Sequence, residues 1–146
     1  MRKEVKIRNV SREDLERVYE IEKESFRDPY PLAFISFLYE VNNKTFLVAE
    51  WRGTIVGYVI ASAKKDLGHI VSIAIHPSER KKDIGGALIL EVLKFLVTAG
   101  VTTVKLEVRK SNIEAQRFYE FLGFRCSHII NKYYGDEDAL VYFKSL

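Results

Sequence analysis

The residues with the clearest chemical potential fall in the second half of the chain. Asn112 and Tyr119 stand seven residues apart in a segment of helical periodicity, about two turns along one face, so an amide and a phenol can reach the same ligand. Periodicity alone favours Tyr119 as a core aromatic. Glu107 lies in the middle of Val104-Lys105-Leu106-Glu107-Val108, an alternating strand pattern in which an unpaired buried carboxylate would be costly; that argues for a purpose or a partner. His69 opens a second apolar strand, where a histidine is more often structural than a proton carrier.

A backbone feature accompanies them. The run Ile70 to Ile75 is short, apolar and rich in β-branched residues, the pattern of a strand buried on both faces. His76-Pro77 ends it, and Arg80-Lys81-Lys82-Asp83-Ile84-Gly85-Gly86 then leads into an apolar segment of helical length, Ala87 to Ala99. Such a turn leaves unpaired N–H groups at the positive end of a helix, an anion site best matched to phosphate. The same residues also fit an ordinary strand-loop-helix connection with solvated basic side chains.

The rest of the chain must position these groups. At 146 residues with 47% hydrophobic composition, it has the size of a single domain, residues 1–146, with a continuous core, and disorder is not expected. A net charge of +3 with interspersed acids gives little support for nucleic-acid binding. The lone Cys126 cannot form an internal disulfide, fits a reducing compartment and reads as a packed small hydrophobe. No apolar run reaches membrane-spanning length, and Met1-Arg2-Lys3-Glu4 leads into a strand-like segment without a signal peptide, so a soluble cytoplasmic protein with no membrane partner is expected.

Val5 to Asn9 reads as a first strand. A helix begins after Ser11 and runs to about Phe26, the two prolines of Arg27-Asp28-Pro29-Tyr30-Pro31 break it, and a second helix covers Leu32 to Glu40. Thr45 to Trp51 and Thr54 to Ala63 flank Arg52-Gly53 as a hairpin. The central strand and its helix follow, with Gly100 as stop. Then come the Val104 to Val108 strand, a helix capped at Ser111-Asn112 and ended by Gly123, and a closing pair from Phe124 to Tyr134 and Ala139 to Phe143. The order is βααβββαβαββ, an α/β domain with a mixed sheet.

Arg80-Lys81-Lys82-Asp83-Ile84-Gly85 together with Asn112-Ile113-Glu114-Ala115-Gln116-Arg117-Phe118-Tyr119-Glu120-Phe121-Leu122-Gly123-Phe124 resembles the paired motifs of the GCN5-related N-acetyltransferases (GNAT). Within that family the chain most resembles enzymes that acetylate protein N-termini, both the ribosomal-protein-alanine type and the archaeal type. The resemblance spans nearly the whole sequence. It implies the GNAT fold, whose central strands splay to admit acetyl-CoA, with acetyl passing directly to an amine and no metal required.

By this resemblance, backbone N–H groups of Lys81, Lys82, Asp83, Ile84, Gly85 and Gly86 hold the pyrophosphate, and the backbone of Ile73, Ala74 and Ile75 pairs with the pantetheine arm. Asn112 contacts the cofactor, and the Tyr119 hydroxyl lies near its sulfur, where a phenol of pKa about 10 can protonate a departing thiolate. Glu107 matches the base of the bacterial enzymes and His69 a histidine implicated in archaeal and eukaryotic ones. Asp28 and Tyr30 match a loop that closes over the substrate, and Tyr133 and Tyr134 a tyrosine pair that binds peptide backbone. The implied partner is a protein or peptide N-terminus, with the ribosome or a nascent chain as its setting. Lysine or small-amine acetylation, and a non-catalytic CoA-binding module, are the alternatives. Asp83 departs from the glycine usual at its position, Asp28 from a common glutamate, and Gly135-Asp136-Glu137-Asp138-Ala139 is one residue short of the usual acidic turn.

Overall fold

A computed structural model describes residues 4–80 and 83–146; Lys81 and Lys82 lie outside the described residues. The elements are β1 (Lys6–Asn9), α1 (Leu15–Ser25), α2 (Leu32–Asn42), β2 (Phe46–Trp51), β3 (Thr54–Lys64), β4 (Leu67–Ile75), α3 (Ile84–Thr98), β5 (Thr103–Arg109), α4 (Ile113–Phe121), β6 (Arg125–Ile130) and β7 (Ala139–Ser145), in the expected order, with short 3-10 turns between some of them. They build a seven-stranded sheet ordered β1-β2-β3-β4-β5-β7-β6. All neighbours are antiparallel except β4 and β5.

The sheet separates two apolar layers. Leu15, Val18 and Ile21 of α1 and Ile35 and Leu38 of α2 pack against Phe46, Val48, Tyr58 and Ile60 on one face. Ile84, Leu88, Val92 and Leu96 of α3, with Tyr119 of α4, pack against Val59, Val104, Leu106 and Val108 on the other. Each helix repeats its apolar residues at three- and four-residue steps and so presents one stripe to the sheet. The β2–β3 hairpin closes at Arg52 (φ 50°) and Gly53 (φ 78°), the two successive positive φ angles that match the strand twist.

The decisive feature lies between β4 and β5. They pair over only three rungs, Leu67 with Thr103, Gly68 with Val104 and His69 with Lys105, although both strands continue beyond them. Where they part, β4 carries a bulge: Ile60 and Ala61 of β3 are consecutive, but their partners Ser72 and Ile70 are not. The extra residue bends and twists the strand. The backbone along one side of β4 is thereby left facing an open gap.

Three expectations are corrected. The central strand is not buried on both faces: Val71, Ile73 and Ile75 are half-buried, because past His69 the strand is paired with β3 alone and its other edge borders the gap. Cys126 is exposed, since β6 is the sheet edge and all its side chains face solvent. The strand expected to reach Tyr134 ends at Ile130, because residues 131–138 fold on themselves: Lys132 takes a positive φ of 55°, its N–H donates to Asp138 Oδ1 (2.9 Å), and Tyr134 N–H donates to the Glu137 carbonyl (3.1 Å). No helix among the described residues is long and apolar enough to cross a membrane.

Candidate active site

A cleft of about 460 Å³ passes through the gap between β4 and β5. Strand alternation decides what faces it. On β5, Leu106 and Val108 turn toward α3 and α4, while Lys105, Glu107 and Arg109 turn toward the α1–α2 side. Asn112, Ala115 and Tyr119 of the α4 segment also line the cleft, as do Asp28 and Tyr30 from the α1–α2 loop and Tyr133 and Tyr134 from the β6–β7 loop. One cavity therefore joins the α4 face to the face carrying these loops.

Glu107 sits just past the last rung. Its side chain is 10% exposed, with Oε1 2.7 Å from His69 Nε2 and Oε2 3.7 Å from Lys105 Nζ. Burial pushes the Glu107 carboxyl upward, but the hydrogen bond and charge of His69 and the charge of Lys105 outweigh it, and the net direction is below the usual carboxylate range. The group is ionised at neutral pH. His69 stands behind Glu107 and is not part of the cleft wall.

Tyr119 is 8% exposed, its ring edge-on to Phe118 and Phe124. No described residue hydrogen-bonds its hydroxyl, yet no buried side-chain polar atom lacks a partner among the described residues. The hydroxyl therefore opens into the cleft that Tyr119 lines. Burial, with a further contribution from the neighbouring Tyr134, raises its pKa, so it remains a proton donor. Asn112 Oδ1 accepts from Ala115 N–H (3.1 Å) and so caps α4 while lining the cleft, a structural role beside the binding role implied for it.

Among the described residues, those expected to hold an extended, phosphate-bearing cofactor fit such a ligand. His76 N–H donates to the Val56 carbonyl on β3 (2.8 Å), so alternation turns Ile73 and Ile75 toward the gap and the peptide groups of Ala74 toward β3. The Ile75 carbonyl is occupied by Arg80 Nε (2.9 Å), and Arg80 Nη2 also reaches Ser25 Oγ (3.1 Å). Arg80 thus shapes the loop. Beyond it, Asp83 starts α3 in the left-handed region (φ 63°), exposed and without a capping hydrogen bond. The first-turn N–H groups at Ile84, Gly85 and Gly86 have no acceptor within the helix. A Cβ at Gly85 would come within 3.2 Å of Phe118 Cζ, whereas one at Gly86 would meet nothing. Gly85 therefore serves close packing on α4, and Gly86 keeps the loop side open.

Two residues of the site were missed in the sequence. Glu22 is 2% exposed on α1 and lines the cleft; it accepts from Tyr58 Oη, Ser72 Oγ (3.0 Å) and Tyr30 N–H (3.0 Å). Its signal was an acid on the same helical stripe as Leu15 and Val18. Arg109 ends β5 and holds Asp28, Asp136 and Glu137 with its guanidinium. Its signal was the two-residue step from Glu107, which places both on one strand face.

Residues 15–124 match the Acetyltransferase (GNAT) family. The chain is 41% identical over 141 residues to an uncharacterized N-acetyltransferase of Methanocaldococcus jannaschii, covering 94% of this chain and 90% of that one. It is 34% identical over 151 residues to an N-alpha-acetyltransferase of Sulfurisphaera tokodaii, covering 94% and 90%. The crystal structure of Ard1 from Thermoplasma volcanium superposes with a TM-score of 0.94 at 30% identity, covering 97% of both chains. The protein belongs to the GNAT family: it has the GNAT fold and is an acetyltransferase of that type.

Proposed function

We propose that this acetyltransferase transfers acetyl from acetyl-CoA to the α-amino group of polypeptide N-termini. The observation that carries this reading is Glu107, an ionised carboxylate held by His69 in a cleft that continues to the Tyr119 hydroxyl. The relatives that bear N-acetyltransferase names support it.

Acetyl-CoA supplies an activated acyl carbon, and the chain's own groups supply the rest. The Ile73 backbone and the first turn of α3 bind the extended thiol arm and the phosphates, with Lys81 and Lys82 continuing that loop in sequence. Glu107 receives the proton of the attacking amine through water, and His69, donating to Oε1, keeps that carboxylate oriented and charged. Tyr119 donates its proton toward the sulfur as the thiolate leaves. No covalent attachment to the protein is needed, and Cys126, exposed on the edge strand β6, has no part in the reaction.

The preference for an N-terminus follows from proton affinity. An α-amine of pKa about 7.7–8.0 is far more often neutral at pH 7 than a lysine of pKa about 10.4, a gap of about 3.5 kcal/mol. The cleft does not narrow that gap. Glu22 and Glu107 line it, while Arg27 and Arg109 are committed to Asp136, Asp28 and Glu137. The Glu107 carboxylate draws an ammonium in but favours the protonated form of either kind of amine. No cation among the described lining residues is left unpaired to depress the pKa of a lysine.

The test is a peptide with a free N-terminus and an internal lysine, offered beside the same peptide blocked at its N-terminus, with the modified site read by mass spectrometry. Acetyl on the α-amine, and none on the blocked peptide, is expected. Transfer to lysine alone would overturn the N-terminal assignment.

A further inference from the structure

Arg109 closes the roof of the cleft. From the end of β5, its Nη2 donates to Asp28 Oδ2 at 2.9 Å in the α1–α2 loop. Its Nη1 donates to Asp136 Oδ1 at 3.0 Å and Glu137 Oε1 at 3.2 Å in the β6–β7 loop. The guanidinium lies 4.3 Å from the ring centre of Tyr134. One planar cation therefore joins the two loops that carry Tyr30 on one side and Tyr133 and Tyr134 on the other.

The two loops differ in how much they depend on it. The β6–β7 loop has its own bonds: Lys132 N–H to Asp138, Gly135 N–H to the Lys132 carbonyl, and Ser111 N–H to Glu137 Oε2 at 2.6 Å. The α1–α2 loop is fastened at Tyr30 by Glu22, at Arg27 by Asp136 and, at Asp28, by Arg109. Asp28 is 70% exposed and Arg109 19%, so the cation is the fixed anchor and the aspartate the part brought to it. Without Arg109, Asp28, Asp136 and Glu137 would face one another with Arg27, which pairs with Asp136, as the remaining cation of the cluster. Their repulsion would drive the loops apart.

We propose that Arg109 is a positioning residue that sets the separation of the two walls of the acceptor cleft, and so gives the enzyme its preference for a peptide over a small amine. The proposal rests on the N-terminal reading above. A peptide must contact both walls, whereas an amino-acid amide needs only the floor at Glu107. Loss of the strut therefore penalises the peptide selectively.

Arg109→Gln, Arg109→Lys and Asp28→Asn are assayed with a tetrapeptide and with an amino-acid amide as acceptors, alongside acetyl-CoA affinity by calorimetry. In Arg109→Gln the peptide KM is expected to rise about tenfold, the size of one charge-assisted link. The loss in kcat/KM on the peptide should exceed that on the amide by a similar factor. Arg109→Lys should not rescue it, because a lysine cannot bridge two loops with a planar fork. Equal losses on both acceptors, or an unchanged peptide KM, would overturn the proposal. Should the wild-type protein acetylate no N-terminus, the N-terminal reading fails instead, and the strut is judged by a double-mutant cycle of Asp28→Asn and Arg109→Gln on denaturant stability. Non-additive effects support it and additive effects refute it.

Discussion

His69 Nε2 lies 2.7 Å from Glu107 Oε1, and His69 belongs to the last rung at which β4 and β5 are still paired. Below it the sheet is continuous; above it the strands part. The carboxylate is thereby fixed by ladder geometry on one side and opens to the cleft on the other. That single position explains how a charged group can be mostly buried, ionised and accessible to an acceptor.

The pair makes a titration prediction. Burial raises Glu107 while His69 and Lys105 lower it, with a net downward direction. In His69→Asn the histidine's contribution is lost and burial weighs more, so the Glu107 midpoint should rise. Carbon-13 NMR of the carboxyl is expected to report a midpoint below the ordinary value in the wild type and a higher one in the variant. The sign for stability follows. A carboxyl depressed in the folded state stabilises it above the unfolded value of about 4.3, and that contribution is lost as pH falls through the lower folded value. Glu107→Gln should therefore weaken the acid dependence of unfolding in that window.

Tyr119 makes a second prediction. Its hydroxyl has no hydrogen-bond partner among the described residues, so Tyr119→Phe should leave the melting temperature within about 2 °C of the wild type. Its proton donation is worth about 100-fold, and kcat should fall by that factor with acetyl-CoA affinity intact. A structural aromatic would show unchanged turnover.

Asp83 bears on cofactor affinity. It takes φ 63° at the start of α3, a conformation that costs a non-glycine residue about 1 kcal/mol, and it places a negative charge beside the loop implied to hold phosphates. Its favourable interaction with the helix dipole is of similar size, so Asp83→Gly should leave stability nearly unchanged while tightening acetyl-CoA binding, as read by calorimetry. Unchanged or weaker affinity would show that Asp83 carries no penalty.

Glu22 predicts stability. It receives three donors in a nearly dry position, and Glu22→Ala leaves the Tyr30 amide and one of the Tyr58 and Ser72 hydroxyls, which lie 3.3 Å apart, short of an acceptor. Each buried unsatisfied group costs about 1–3 kcal/mol, so urea unfolding should register a loss of about 3 kcal/mol. A loss under about 1 kcal/mol would mean that water replaces the carboxylate.

The element order was legible because every helix and strand announced itself locally. Leu15, Val18 and Ile21 repeat at helical steps, Val104, Leu106 and Val108 alternate, and Arg52-Gly53 marks the hairpin. The cleft lining by Glu107, Tyr119, Asp28, Tyr30, Tyr133 and Tyr134 was also legible, through family resemblance more than periodicity. Tertiary relationships were not. That His69 stands behind Glu107 depends on the parallel register of strands 38 residues apart. Arg109 acquires its role only when loops 81 and 27 residues distant in sequence converge on it. The exposure of Cys126 follows from β6 lying at the edge of the sheet, which no local pattern encodes.

The most direct test of the central claim is the turnover of Glu107→Gln on an N-terminal peptide at pH 7, with acetyl-CoA affinity measured on the same protein. Loss of the base should lower kcat about 100-fold while acetyl-CoA binds as in the wild type. Wild-type turnover in Glu107→Gln would contradict the account, because no proton would then need to pass through that carboxylate.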